Sequence, residues 1–203
     1  MSGSLPPAYF DRMYAGDDDP WGFRSRWYEE RKRALTLAAL TRRRYRRVFE
    51  PGCSLGLLTE GLAQRADQVL ATDVAEAVLR QARARLGQLP TVRVERIGVP
   101  QEWPSGTFDL ILLSEVGYYL SDDDLATLAT RAAASLDDGG TLLAVHWRHP
   151  VADYPLTGDD VHEVLGAAAG LRGLVRHVED DFRLDLWIRG TVRSVAAEEG
   201  LVS

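Results

Sequence analysis

The sequence predicts an α/β chain built on a doubly wound, seven-stranded, mostly parallel sheet that closes with an antiparallel hairpin. Three observations lead there. Strand-like and helix-like segments alternate between residues 45 and 147. A glycine-rich turn separates the first strand from the helix after it, and near the end two β-rich runs follow each other with almost nothing between them.

In chain order, residues 8–41 read as helical, so 1–44 is expected to fold as a lid over the mouth of a site. YRRVFE (45–50) is a short apolar strand, and LLTEGLAQRA (57–66) an amphipathic helix behind the turn. QVLATD (68–73) is the second strand, followed by AEAVLRQARARLGQL (75–89) with Ala, Val and Leu at helical spacing. TVRVER (91–96) alternates as a third strand, while FDLILLSE (108–115) is apolar throughout, as a central parallel strand must be. Ser121 can cap a helix whose first turn carries Asp122, Asp123 and Asp124 in favourable contact with its dipole. Asp138-Gly139-Gly140 supplies a turn into TLLAVHW (141–147), and LVRHVED with FRLDLWIR makes the hairpin.

At 203 residues the chain fits one domain, 1–203. No apolar run approaches the roughly 20 residues of a membrane helix, and MSGSLPPAYFDRMY lacks the pattern of a secretory signal. The single cysteine, Cys53, excludes an internal disulfide and a Cys-based zinc cage. A cytoplasmic protein with no metal and no membrane contact is expected, as a monomer or homodimer. The net charge of -6 argues against broad phosphate neutralisation and hence against nucleic acid. The run Arg42, Arg43, Arg44, Arg46 and Arg47 reads as a solvated helix end. Every basic residue except Lys32 is arginine, which reads as a coding bias.

The chemistry concentrates in Glu50-Pro51-Gly52-Cys53-Ser54-Leu55-Gly56, between a strand and a helix. Glycines there let the backbone approach a ligand, and the helix start offers free N–H groups. Asp73 ends the second strand 17 residues beyond Gly56, where a carboxylate can accept both hydroxyls of a ribose diol. Three readings compete. A dinucleotide fingerprint needs glycine where Ser54 stands. Gly52-Cys53-Ser54-Leu55-Gly56 matches the G-x-S-x-G nucleophile elbow of serine hydrolases, with His146, His162 and His177 as downstream bases, but no oxyanion loop precedes it. The third reading, E-x-G-x-x-x-G with a distal Asp, is the S-adenosylmethionine (SAM) pattern, and FDLILLSE followed by DDGGTLLAVHW supplies the later landmarks.

On these residues the chain resembles the class I SAM-dependent methyltransferases, with a Rossmann-like sheet. Nearly its whole length resembles the nodulation N-methyltransferase (NodS-like) family, through DPWGFRSRWYEERK, FEPGCSLGLLTEGLA, VPQEWPSGTFDLILLSEVGYYL, LLAVHW, and YPLTGDDVH with FRLDLW. The resemblance implies methyl transfer from SAM, leaving S-adenosylhomocysteine (SAH), to the free amine of a de-N-acetylated glucosamine in a chitooligosaccharide-like acceptor or another amino sugar. It also implies a cap over residues 148–172 on the acceptor side. A SAM- or nucleotide-binding regulatory domain without chemistry is the alternative from another class.

By the family pattern Gly52, Cys53, Ser54 and Gly56 line the methionine portion and Asp73 holds the ribose. Trp21 and Arg31 close over the cofactor from the lid, with Arg31 pairing the methionine carboxylate. Val74, Ser114 and the backbone near Val99 complete the cofactor site, with Gln101 or Glu102 replacing the adenine-binding acid that Ile97-Gly98-Val99 lacks. Glu115, at the end of the fourth strand, is a candidate for taking the amine proton, and Tyr118 and Tyr119 line the acceptor pocket. His146 is the first candidate for general base, against a satisfied core histidine. Asp160 and His162 start a helix over the acceptor, where Asp160 can equally be a cap, and His177 is read as structural.

Overall fold

The computed structural model describes residues 3–202. Two helices come first, α1 (Pro7–Gly16) and α2 (Trp27–Ala39), then the alternating core: β1 (Tyr45–Pro51), α3 (Leu57–Ala63), β2 (Ala66–Asp73), α4 (Glu76–Leu86), β3 (Val92–Arg96) and β4 (Phe108–Ser114). A 3₁₀ turn (Gly117–Tyr119) leads to α5 (Asp122–Ala134) and β5 (Leu136–Trp147). After α6 (Gly158–Gly166) the chain forms β6 (Leu171–Val178), β7 (Phe182–Arg189) and a short α7 (Val195–Glu198).

The seven strands lie in the order β3-β2-β1-β4-β5-β7-β6. The first five are parallel, and β7 runs antiparallel to both β5 and β6. The order reverses between β1 and β4, so the crevice at the C-terminal ends of these strands is the place where such sheets bind ligands.

Period-two alternation covers both faces of the sheet. Phe49, Ile111, Leu113, Leu142 and Ala144 pack under α5 and α6. Val48, Leu110, Leu112, Leu143 and Val145 pack on the opposite face with Leu58 and Leu62 of α3. Ser121 caps α5 by accepting from the Asp124 amide at 3.3 Å, as its position predicts.

Several boundaries differ from the sequence expectation: residues 17–26 break the helical stretch expected over 8–41, and β6 begins at Leu171 rather than Leu174. β5 begins at Leu136, not Thr141, because Leu136 already pairs with Phe108; the register then shifts, and Asp138-Gly139-Gly140 is an irregularity inside the strand rather than a turn before it. β2 begins at Ala66, which the sequence assigned to the preceding helix, because Ala66 pairs with Tyr45. Within the arginine run, Arg44 pairs with Asp67 and Arg46 with Asp137, and Arg42 donates to the Gly139 carbonyl. The run is a solvated, ion-paired edge.

Candidate functional site

The loop after β1 turns through three left-handed residues, Gly52 (φ 73°), Ser54 (φ 50°) and Gly56 (φ 76°). A Cβ on Gly52 would lie 2.2 Å from Cγ2 of Val116, so glycine also lets this loop press against the end of β4. Asp73 fixes the loop from the neighbouring strand: Oδ2 accepts from the Ser54 amide and Oδ1 from the Ala75 amide, both at 3.0 Å. Burial raises the Asp73 pKa, and these backbone donors work against the rise.

A cavity opens above this loop. Gly52, Cys53, Ser54, Asp73, Val74, Val99 and Ser114 all line it, and the segment between α1 and α2 adds Trp21. Trp21 packs edge-on against Tyr14, 5.5 Å between ring centroids, and the Tyr14 hydroxyl meets Ser54 Oγ at 2.5 Å. Gln101 lines the same cavity, whereas Glu102 turns back to accept from the Gly98 amide. Burial pushes the Cys53 thiol well up, as suits an unreactive wall residue.

Two wall residues were given no role by the sequence, although Glu50 opens its E-x-G-x-x-x-G pattern. Glu50 is 2% exposed, and its Oε2 has no hydrogen-bond partner. Burial pushes its carboxyl up to about 8. Arg33 reaches the cavity from α2, its guanidinium anchored on the Phe23 carbonyl at 2.8 Å.

A second cavity lies alongside, walled by Tyr28, Tyr118, Tyr119, Trp147, Tyr154 and Asp181. Both cavities share Glu29, Lys32 and Glu115. Lys32, the one lysine of the chain, is 4% exposed and donates to Glu115 Oε1 at 2.5 Å and Glu29 Oε1 at 3.0 Å. Burial works to lower its pKa, but the two carboxylates outweigh burial and hold it up. Glu115 Oε2 also accepts from the Tyr118 hydroxyl at 2.5 Å and the Trp147 amide at 2.9 Å. Glu115 itself sits at φ 58°, a conformation costing a non-glycine residue roughly 1–2 kcal/mol. Its contacts with Lys32, Tyr118 and the Trp147 amide hold it there.

Five sequence assignments are corrected. Arg31 does not line the first cavity, because Glu179 holds its guanidinium with two bonds of 2.7 and 2.8 Å. Gly56 is not a wall; it is the N-cap of α3, and a Cβ there would meet Leu86 Cδ1 at 2.7 Å. His146 faces neither cavity, is fully buried, and has both ring nitrogens engaged, one by the Gly117 amide and one by His162. His162 is likewise buried, between His146 and Asp185. Asp160 closes a capping box with Thr157 at the start of α6.

The hydrolase reading also falls, since the hydroxyl of Ser54 meets a tyrosine and none of the three candidate histidines. Among the described residues, no group of three or more His, Cys, Asp or Glu could hold a metal, and no helix is long and apolar enough to cross a membrane.

Comparison with known proteins shows the family and the fold. The family model for Nodulation protein S (NodS) matches residues 11–145. Nodulation protein S of Rhizobium tropici is 30% identical over 106 residues, 52% of this chain and 44% of that protein. The chain therefore spans about half the length of this curated relative. A putative methyltransferase from Pseudomonas syringae of known structure is 47% identical, over 81% of this chain and 100% of that one, with a TM-score of 0.72. The N-methyltransferase NodS of Bradyrhizobium japonicum WM9, solved with SAH, superposes with a TM-score of 0.82 at 22% identity, covering 91% of this chain and 98% of that one. The architecture is the class I methyltransferase fold.

Proposed function

The chain belongs to the NodS family, and from that premise we propose that it is a SAM-dependent N-methyltransferase acting on the free amine of a de-N-acetylated glucosamine unit or a related amino sugar. One observation carries the reading: a cofactor-type cavity and an aromatic cavity meet at the Lys32–Glu115 pair. A pure binding module needs only the first. Of the proposed lid, 1–44, residues 1 and 2 lie outside the described residues, and Leu5, Phe10 and Trp21 line the first cavity, while 148–172 contributes Tyr154 to the second.

The residues present fit the cofactor. Glu50, with an orphaned buried oxygen, suits the α-ammonium of the methionine portion, and Arg33 suits its carboxylate. Asp73 suits the ribose diol, while Ile97, Val99 and Gln101 suit the adenine side. When bound, SAM supplies an electrophilic methyl group.

The chain's own contribution is alignment and proton management. Tyrosine and tryptophan faces of the second cavity suit the flat apolar side of a sugar ring, and its acids suit the amine. The Glu115 carboxylate already accepts three donors of the roughly four it can take, which leaves one direction on Oε1 for an amine N–H. That bond orients the nitrogen lone pair. The same carboxylate can receive the proton the nitrogen sheds once it carries the methyl.

Titration calorimetry with SAH tests the cofactor half. Micromolar binding that Asp73→Ala weakens by about 100-fold is expected, since two hydrogen bonds to a carboxylate are lost. No binding by the folded wild-type chain would sink the reading. Methyl transfer to de-N-acetylated chitin oligomers, followed as SAH release, tests the acceptor half.

A further inference from the structure

Behind the second cavity, outside both, four groups form one hydrogen-bonded row. The Gly117 amide donates to His146 Nε2 at 3.1 Å, His146 Nδ1 lies 3.1 Å from His162 Nε2, and His162 Nδ1 lies 2.8 Å from Asp185 Oδ2. The two histidines and the aspartate are 0%, 1% and 2% exposed. Asp185 is held in turn by Arg183 at 2.7 Å and Arg176 at 3.0 Å.

Each proton in this row has one place to go. A backbone amide can only donate, so His146 Nε2 is a lone pair and the ring proton sits on Nδ1. That proton points at His162 Nε2, which must accept. The His162 proton is therefore also on Nδ1, directed at the carboxylate. A second proton on either ring would set two N–H groups against each other. Burial, the largest effect on both, pushes each imidazole below its usual range, His146 furthest, in keeping with neutral rings.

The row ends on the turn that shapes the acceptor side. His146 grips Gly117 through its ring, and the next residue, Trp147, grips Glu115 through its backbone amide. Consecutive residues of β5 thus clamp both sides of Val116. Glycines bring α6 close enough for His162 to take part: a Cβ on Gly117 would lie 2.4 Å from Val161 Cγ1, and one on Gly158 only 2.2 Å from the Trp147 carbonyl oxygen.

Resting on the reading of the second cavity as the acceptor site, we propose that His146, His162 and Asp185 are positioning residues, a fixed-tautomer relay that holds the 115–118 turn, and with it Glu115 and Tyr118, at the methyl acceptor. None of the three lines either cavity. They act through the turn.

The test uses the 203-residue chain labelled with ¹⁵N. Long-range ¹H–¹⁵N spectra should show both rings neutral with the proton on Nδ1; a proton on Nε2 of either would overturn the relay. His162→Leu breaks the row, whereas His162→Gln can still accept from His146 and donate to Asp185. In His162→Leu the Gly117 amide should exchange faster, and turnover of a de-N-acetylated chitin oligomer should fall by about 100-fold in kcat with little change in KM, as small misplacements do. SAH affinity should stay within about twofold, and His162→Gln should recover most of the loss. Unchanged Gly117 exchange and unchanged kcat in His162→Leu would remove the positioning role. If His162→Leu fails to fold, the wild-type tautomers and Gly117 exchange in His162→Gln decide. Failure of the wild-type chain to bind SAH would instead strike the methyltransferase reading, with the ring tautomers still deciding the relay.

Discussion

Lys32 Nζ and Glu115 Oε1 stand 2.5 Å apart on the wall that separates the cofactor-side cavity from the aromatic one. The chain reaches this contact from two distant elements, α2 and the end of β4. It is the only place where a lysine is used among 24 basic residues. A compact ammonium with three rotatable donors can serve two carboxylates in a space where a planar guanidinium would need a different fork.

Removing one member of this pair leaves a buried charge unmatched. Lys32→Met should destabilise the fold by about 3–5 kcal/mol, read as a fall in the urea midpoint, and Lys32→Arg should not restore activity. Glu115→Gln, which keeps the shape, should fold with a smaller loss yet lower turnover. A Glu115→Gln enzyme with wild-type kcat would remove Glu115 from the chemistry.

In the proposed role beside the methionine ammonium, Glu50 should make SAH affinity depend on pH. Its carboxyl ordinarily titrates near 4.5, and burial lifts it to about 8 in the folded chain. Between those values the folded state holds a proton that the unfolded state does not. The associated stability is therefore complete below 4.5 and is lost as pH rises through 8. An α-ammonium bound at Glu50 needs the ionised form, so SAH binding below pH 8 should release a proton, and affinity should climb by up to about tenfold per pH unit toward 8. Calorimetry in buffers of different ionisation enthalpy measures that proton directly. Glu50→Gln should flatten the profile.

Arg31 and Arg33 sit two residues apart on α2 and should behave oppositely. Arg33→Ala removes the guanidinium on the cofactor wall and should weaken SAH binding by about tenfold or more, the loss of one charge-assisted contact. Arg31→Ala releases Glu179 at the surface and should leave SAH affinity where it was. A reversal of the two would restore Arg31 to the cofactor.

Much of the fold was legible because its signals are local. Strand-helix alternation, the glycine-rich loop at 52–56 and the cap at Ser121 each depend on neighbours in sequence. The cofactor-side cavity shares that property, since its loop and Asp73 belong to adjacent strands. The Lys32–Glu115 contact bridges 83 residues, and no periodicity announces it. His146 was misplaced for a different reason. It stands at a strand end near the site, but successive strand residues face opposite sides: Trp147 lines the second cavity and His146 points away to α6. Arg31 and Arg33 could not be separated without knowing where Glu179, on the loop after β6, comes to rest.

The insertion of β7 between β5 and β6 also sets an order of events during synthesis. Once residue 147 has left the ribosome, all five parallel strands are available to pair, but the outer edge of β5 has no partner until residues 182–189 follow. For that interval β5 is an open sheet edge rich in Leu, Ala and Val, the kind of edge that recruits other chains. Asp185 arrives in the strand that seals it, so the hydrogen bond from His162 forms as β5 ceases to be an open edge.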